Sequence, residues 1–232
     1  MKKLIVTTIA CVGIMMGSQA DFSQFADASG YVTAFTIGAD GASAGAWQFG
    51  SDWAVGDLRA DAGASAGDWT IYPNQNTYNA SDAYWANGDD GNKWLVSTLK
   101  YEMAGSNALS AQQTNASMTF DVNSYTLDSR YTVTAFVKTL DPNNGYSVSA
   151  NDSVVLSDGL GETTLSLDTS GLAGHILQVG FETQGINANP ATDWGNADVS
   201  ISDINVIPEP ATMGLLGIFG GALAMARRRF SV

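Results

Sequence analysis

The sequence predicts an all-β protein, an antiparallel β-sandwich or jelly roll, with a short hydrophobic segment at each end. Three observations predict it. Short segments rich in β-branched and aromatic residues recur through the second half of the chain, separated by turn residues. No stretch between Asp21 and Val206 repeats its apolar residues with a helical period. The only cysteine, Cys11, lies in the N-terminal hydrophobic segment, so the region that follows needs a core of its own rather than a disulfide framework.

Residues 1–20 read as a secretory signal peptide. Lys2 and Lys3 give it a positive start, residues 4–16 an apolar stretch, and Ser18-Gln19-Ala20 the small residues that a signal peptidase reads. Cleavage is expected between Ala20 and Asp21. The alternative, an uncleaved anchor, is short for a bilayer crossing of about 20 residues.

Residues 21–206 are read as one domain, the β-sandwich. Residues 31–37 make an early strand. Residues 38–67, rich in Gly, Ala, Ser and Asp, read as long loops or irregular strands. Residues 117–122, 131–138, 154–156, 163–167, 176–181 and 199–206 read as strands. Tyr131-Thr132-Val133-Thr134-Ala135-Phe136-Val137-Lys138 shows the clearest alternation. Between strands, Asp141-Pro142-Asn143-Asn144-Gly145 is a turn by its chemistry: proline fixes φ, and Asn-Gly tolerates positive φ.

Charge excludes whole classes of partner. Between residues 21 and 207 lie five basic side chains and 22 acidic ones, all 23 acids of the chain less Glu209, for a net charge of −17. Such a surface repels nucleic acid and anionic lipid. It suits a soluble exported protein.

The C-terminal segment, residues 207–232, has a different construction. Val206-Ile207-Pro208-Glu209-Pro210-Ala211-Thr212 precedes an apolar run over residues 213–226, closed by Arg227, Arg228 and Arg229. The run is a short transmembrane helix candidate, and the arginines would stay cytoplasmic by the positive-inside rule. This order of parts resembles the PEP-CTERM sorting signal of Gram-negative bacteria. The resemblance covers residues 207–229. It implies that an exosortase-type processing protease recognises Pro208, Glu209 and Pro210. The precursor would be held transiently in the inner membrane, then released to the cell surface or extracellular matrix.

Candidate chemistry within the domain is sparse. His175 is the one histidine, and it falls in a loop just before a strand, so nucleophile–histidine catalysis and a zinc cluster lack their residues. Glycoside hydrolysis needs two carboxyl groups across a cleft. The glutamates there are Glu102, Glu162 and Glu182, none of them in a recognisable glycosidase motif. Trp47, Trp53, Trp69, Trp85 and Trp94 cluster with four tyrosines, and such rings either fill a core or stack on the apolar faces of sugars. The segment Tyr84-Trp85-Ala86-Asn87 joins aromatic and amide groups, which makes Tyr84, Trp85 and Asn87 the candidates for extracellular polysaccharide, with Trp85 expected to be the most exposed. Asp89, Asp90 and Asn92 offer hard oxygen ligands for calcium, as do Asp193, Asn196 and Asp198, without EF-hand spacing. Gly180-Phe181-Glu182-Thr183 and residues 195–204 resemble the closing strands of jelly-roll carbohydrate-binding modules, which implies a place for Asp203 near a structural calcium.

Three functions follow. The first is a non-enzymatic structural or adhesive component of an exopolysaccharide matrix without a cofactor, the second a carbohydrate-binding module, and the third a carboxylate-dependent glycan-processing enzyme.

Overall fold

A computed structural model describes residues 28–208, apart from residues 66, 106, 107 and 112; for residues 205–208 it describes the backbone only. The signal peptide, with Ala20 and Asp21, lies outside the described residues. So do Glu209, Pro210, the 213–226 segment and Arg227, Arg228 and Arg229. Among the described residues, no helix is long and apolar enough to cross a membrane.

Two antiparallel sheets face each other. The six-stranded sheet holds β1 (Ser29–Ile37), β2 (Ala44–Trp53), β7 (Trp94–Met103), β9 (Thr132–Asp141), β10 (Ser147–Val155) and β12 (Ile176–Ile186), in the order β10-β9-β12-β7-β1-β2. The five-stranded sheet holds β3 (Ala60–Ala62), β4 (Asp68–Ile71), β8 (Gln113–Tyr125), β11 (Thr163–Asp168) and β13 (Ala197–Pro208), in the order β11-β8-β13-β4-β3. A small separate hairpin pairs β5 (Ala86–Asn87) with β6 (Asp90–Gly91). From β7 onward the chain changes sheet at every step but the β9–β10 hairpin, which is the jelly-roll manner of winding. Between β2 and β3 the chain makes a short 3-10 turn, Val55–Leu58.

Alternation builds the core. On β8, Ala116, Met118, Phe120 and Val122 point inward; on β9 and β12, Val133, Ala135, Val137, Val179 and Phe181 meet them. Phe120 and Phe181 close the middle edge to face, their centroids 5.6 Å apart. At one border the sandwich is stitched by Asp152 of β10, whose carboxylate accepts the Ser166 N–H of the edge strand β11 at 2.7 Å.

The strands predicted from residues 31–37, 117–122, 163–167, 176–181 and 199–206 lie within β1, β8, β11, β12 and β13, and the one from 131–138 falls on β9, which begins one residue later, at Thr132. The segment at 154–156 marks only the end of the longer β10. The turn at 141–145 forms as its chemistry requires. The Asn144 and Tyr146 amides donate to the Asp141 carbonyl, and positive φ falls on Gly145 (62°) and on Tyr146 (59°). The short strands β3 to β6 were not predicted, and neither were two long ones. β2 occupies a region read as loop or irregular strand, because an edge strand exposed on both faces carries no inside–outside alternation. β7 hides its alternation because its outward positions carry large residues, from Trp94 to Glu102.

Candidate functional site: the open face of the six-stranded sheet

The outward side chains of β9, β12, β7 and β1 line a cleft of about 570 Å³. Register explains its composition. Gln178 pairs with both Glu102 and Lys138, Glu182 pairs with Thr98, and Thr98 pairs in turn with Tyr31. Paired residues share a face of the sheet, so these polar groups converge although they are scattered along the chain. Tyr146, largely exposed beyond the Asp141 turn, and Asp52 of β2 stand at the margins.

Two lysine–glutamate pairs dominate the cleft. Glu102 accepts hydrogen bonds from the Lys100 ammonium at 2.5 Å and from the Gln178 amide at 2.6 Å. Lys138 lies 3.8 Å from Glu182, with its ammonium 4.2 Å from the centre of the Phe136 ring; Gln184 donates to the other Glu182 oxygen at 2.7 Å. Lys100 and Lys138 are two of the five basic side chains between residues 21 and 207. Burial alone would raise the Glu102 pKa, but the Lys100 and Gln178 hydrogen bonds and the Lys100 charge outweigh it and hold it below the ordinary glutamate value. Burial lowers the Lys138 pKa, opposed by Glu182 and reinforced by Lys100. A glutamate held below its ordinary pKa is poorly suited to act as a general acid, which needs a raised one. Paired ammonium, carboxylate and amide groups are well suited to exchange hydrogen bonds with vicinal hydroxyls.

The aromatic and calcium candidates sit elsewhere. Trp85 is half-buried, not the exposed tryptophan expected from its polar neighbours. It packs edge to face on Tyr84 (4.8 Å) and on Phe49 (6.0 Å), and Phe49 rests against the core opposite Ala34. The most exposed tryptophan is Trp47, at 64%; Trp69 and Trp194 are buried. Asn87 is exposed on the β5–β6 hairpin. That hairpin gathers its oxygens around an ammonium: Lys93 donates to the Tyr84 carbonyl at 2.7 Å and the Asn92 carbonyl at 3.2 Å, 3.9 Å above the Tyr84 ring. Burial lowers the Lys93 pKa against the opposing charge of Asp82.

Asp89 and Asp90 are exposed, with Asp90 3.4 Å from Arg130, and the Asn92 amide donates to the Ala83 carbonyl at 2.7 Å. Asp203 stands on β13 opposite Thr119. Among the described residues, no three His, Cys, Asp or Glu side chains form a group able to hold a metal, so Asp203 does not join Asp89 and Asp90. Asp193 closes a turn by accepting the Gly195 N–H, and Asp198 accepts from Asn196 and Ser124, each at 2.8 Å. His175 lies just before β12, as expected, and Glu162 is exposed.

Sequence reasoning weighed Glu102 and Glu182 only as isolated carboxylates, and it missed Tyr31, Lys100, Lys138 and Gln178. The period-two run Trp94, Val96, Thr98, Lys100, Glu102 was the one signal available for that face.

At the end of β13, Pro208 pairs with Gln113, and the chain passes from the sheet into its C-terminal segment. Residues 206–229 match the PEP-CTERM protein-sorting motif. The motif implies processing by an exosortase, a membrane protease, and export with membrane-anchored sorting before cleavage. No curated protein matches the chain. Among solved structures, similarity is found to one titled as the structural basis for the promiscuous specificity of the carbohydrate-binding modules from the β-sandwich super family. It shows 14% identity and a TM-score of 0.33, covering 76% of this chain and 52% of that one. The chain thus spans about half the length of that structure, and at this similarity it says nothing about a ligand here.

Proposed function

We propose that this chain is a non-enzymatic, adhesive component of the extracellular matrix, which holds saccharide in the cleft on its six-stranded sheet. The signal peptidase removes residues 1–20 between Ala20 and Asp21. The C-terminal signal then tethers the precursor in the inner membrane until an exosortase releases the domain to the cell surface or matrix.

One observation carries the binding reading: the two lysine–glutamate pairs, with Gln178 between them and Tyr31 and Tyr146 at the margins, in a single open cleft. Ligand sites of this kind combine a few convergent polar groups with aromatic surface. The non-enzymatic reading is supported by the depressed Glu102 pKa and by the engagement of Glu182 with Lys138 and Gln184.

The test is titration of the exported protein with the host's own exopolysaccharide by affinity electrophoresis and calorimetry. Saturable binding that Glu102→Gln weakens supports the reading; no saturable binding by the folded protein rejects it. Release of reducing ends during the titration would favour the glycan-processing enzyme instead.

A further inference from the structure

The polar cleft is one end of a longer surface. Beyond Thr33 and Val96, which line it, the next row of paired residues on the outer face is Trp47 of β2, Phe35 of β1 and Trp94 of β7, with a β-bulge setting Trp47 rather than Gln48 opposite Phe35. Trp47 pairs with Phe35 and Phe35 with Trp94, so the three side chains share the outer face across three adjacent strands. None of them belongs to the hydrophobic core cluster. Trp47 is 64% exposed, and Phe35 and Trp94 are half-exposed. Two strand spacings make the row about 10 Å wide, and the eight residue steps of β7 from Trp94 to Glu102 span about 27 Å.

We infer that the outer face is one continuous track for an extended, uncharged polysaccharide chain. Its sugar rings would stack on Trp47, Phe35 and Trp94 at one end, and its hydroxyls would bond the Lys100–Glu102–Gln178 cluster at the other. This rests on the saccharide-binding reading above and adds the ligand's length and charge. Length follows from the separation of the two ends, which a single sugar unit cannot bridge. Lack of charge follows from electrostatics. Each cleft lysine is already opposed by a glutamate, Asp52 adds a further negative charge, and the surrounding domain carries −17. A uronate or sulfated polymer would meet repulsion and no unmatched cation.

The experiment uses the exported protein with a neutral glucan, mannan and xylan, their oligomers of increasing length, and alginate as the charged control. Affinity should rise with oligomer length until the track is filled, with alginate excluded. Trp47→Ala and Trp94→Ala should each weaken polymer binding by about tenfold, the loss expected for one aromatic contact. They should leave short oligomers bound at the polar end. Trp47→Phe, which keeps an aromatic face, should retain most of the polymer affinity, and circular dichroism confirms that each variant is folded. Short oligomers binding as tightly as polymer, or polymer binding indifferent to both tryptophans, would overturn the track and leave the polar-cleft reading standing. Preference for alginate would overturn the uncharged class. Failure of every glycan would reject both. Concentration-dependent dimerisation abolished by Trp47→Ala would assign the aromatic row to a second copy of this chain and overturn the proposal.

Discussion

Phe136 lies directly across the β9–β12 ladder from Gly180, on the face turned away from the core. It is nevertheless 3% exposed, with the Lys138 ammonium over its ring. A large ring opposite a residue without a side chain can lie flat on the sheet, which is how an outward aromatic is buried without entering the core. Along β12 the pair lies between the Gln178 row, with Glu102 and Lys138, and the Glu182 row.

Gly180 is held there by its neighbours as well. A Cβ at this position would run into the Leu99 carbonyl and the Lys100 Cα of the adjoining strand. Backbone cannot yield as a side-chain tip does. Gly180→Ala should therefore cost about 1–3 kcal/mol, read as a lower urea midpoint at unchanged slope.

Asn187 ties the β5–β6 hairpin to the sandwich. Its carboxamide accepts the Lys93 N–H at 2.9 Å and donates to the Trp85 carbonyl at 2.8 Å, and the side chain is almost fully buried. Asn187→Ala leaves the Lys93 N–H unpaired in the interior, while the Trp85 carbonyl keeps the Asn92 N–H, a loss of about 1–3 kcal/mol. Equilibrium denaturation checks the magnitude. Faster hydrogen exchange at the Lys93 amide checks the location.

Acid should expose the Glu102 contribution. Its pKa is depressed on folding, so the associated stability is present above the ordinary glutamate value of 4.5 and is lost as pH falls through the lower, folded value. The loss of stability with falling pH should steepen between 4.5 and the lower, folded value in the native protein. In Glu102→Gln the steepening should be reduced, and an unchanged profile would contradict the assignment.

Alkali should act through Tyr131. Burial pushes its phenol up from 10.0 to about 12, with Arg130 opposing and Asp128 and Asp90 adding to the shift. The folded state therefore holds this proton more tightly than the unfolded chain does. Stability is full below pH 10 and declines between 10 and about 12. Ultraviolet titration should find a late-ionising tyrosine, and Tyr131→Phe should flatten the alkaline decline.

Legibility in the sequence followed the physics of each element. Alternating β-branched strands such as Tyr131–Lys138 announced themselves, because one side is buried and the other is wet. The Asp141–Gly145 turn was equally plain, since proline and Asn-Gly act locally. β2 was not, because a two-sided edge strand has no periodic signal. Trp85 misled for a related reason. Its polar sequence neighbours belong to a hairpin folded back on the Lys93 ammonium, and that packing is invisible in a linear reading. Glu102 and Glu182 were seen without the lysines that hold them.

The sequence by itself determined the all-β class, the acidic surface and the terminal sorting motif, because each depends on composition, short-range periodicity or contiguous residues. Only the tertiary structure decided which side chains share the open face. Lys100 meets Gly180, Gln178 meets Lys138, and Trp47 meets Phe35 through the register of strand pairing. Alternation gives a strand two faces but does not choose its neighbours. That choice is made when the cores of both sheets pack against each other, and it fixes the outer face as a consequence.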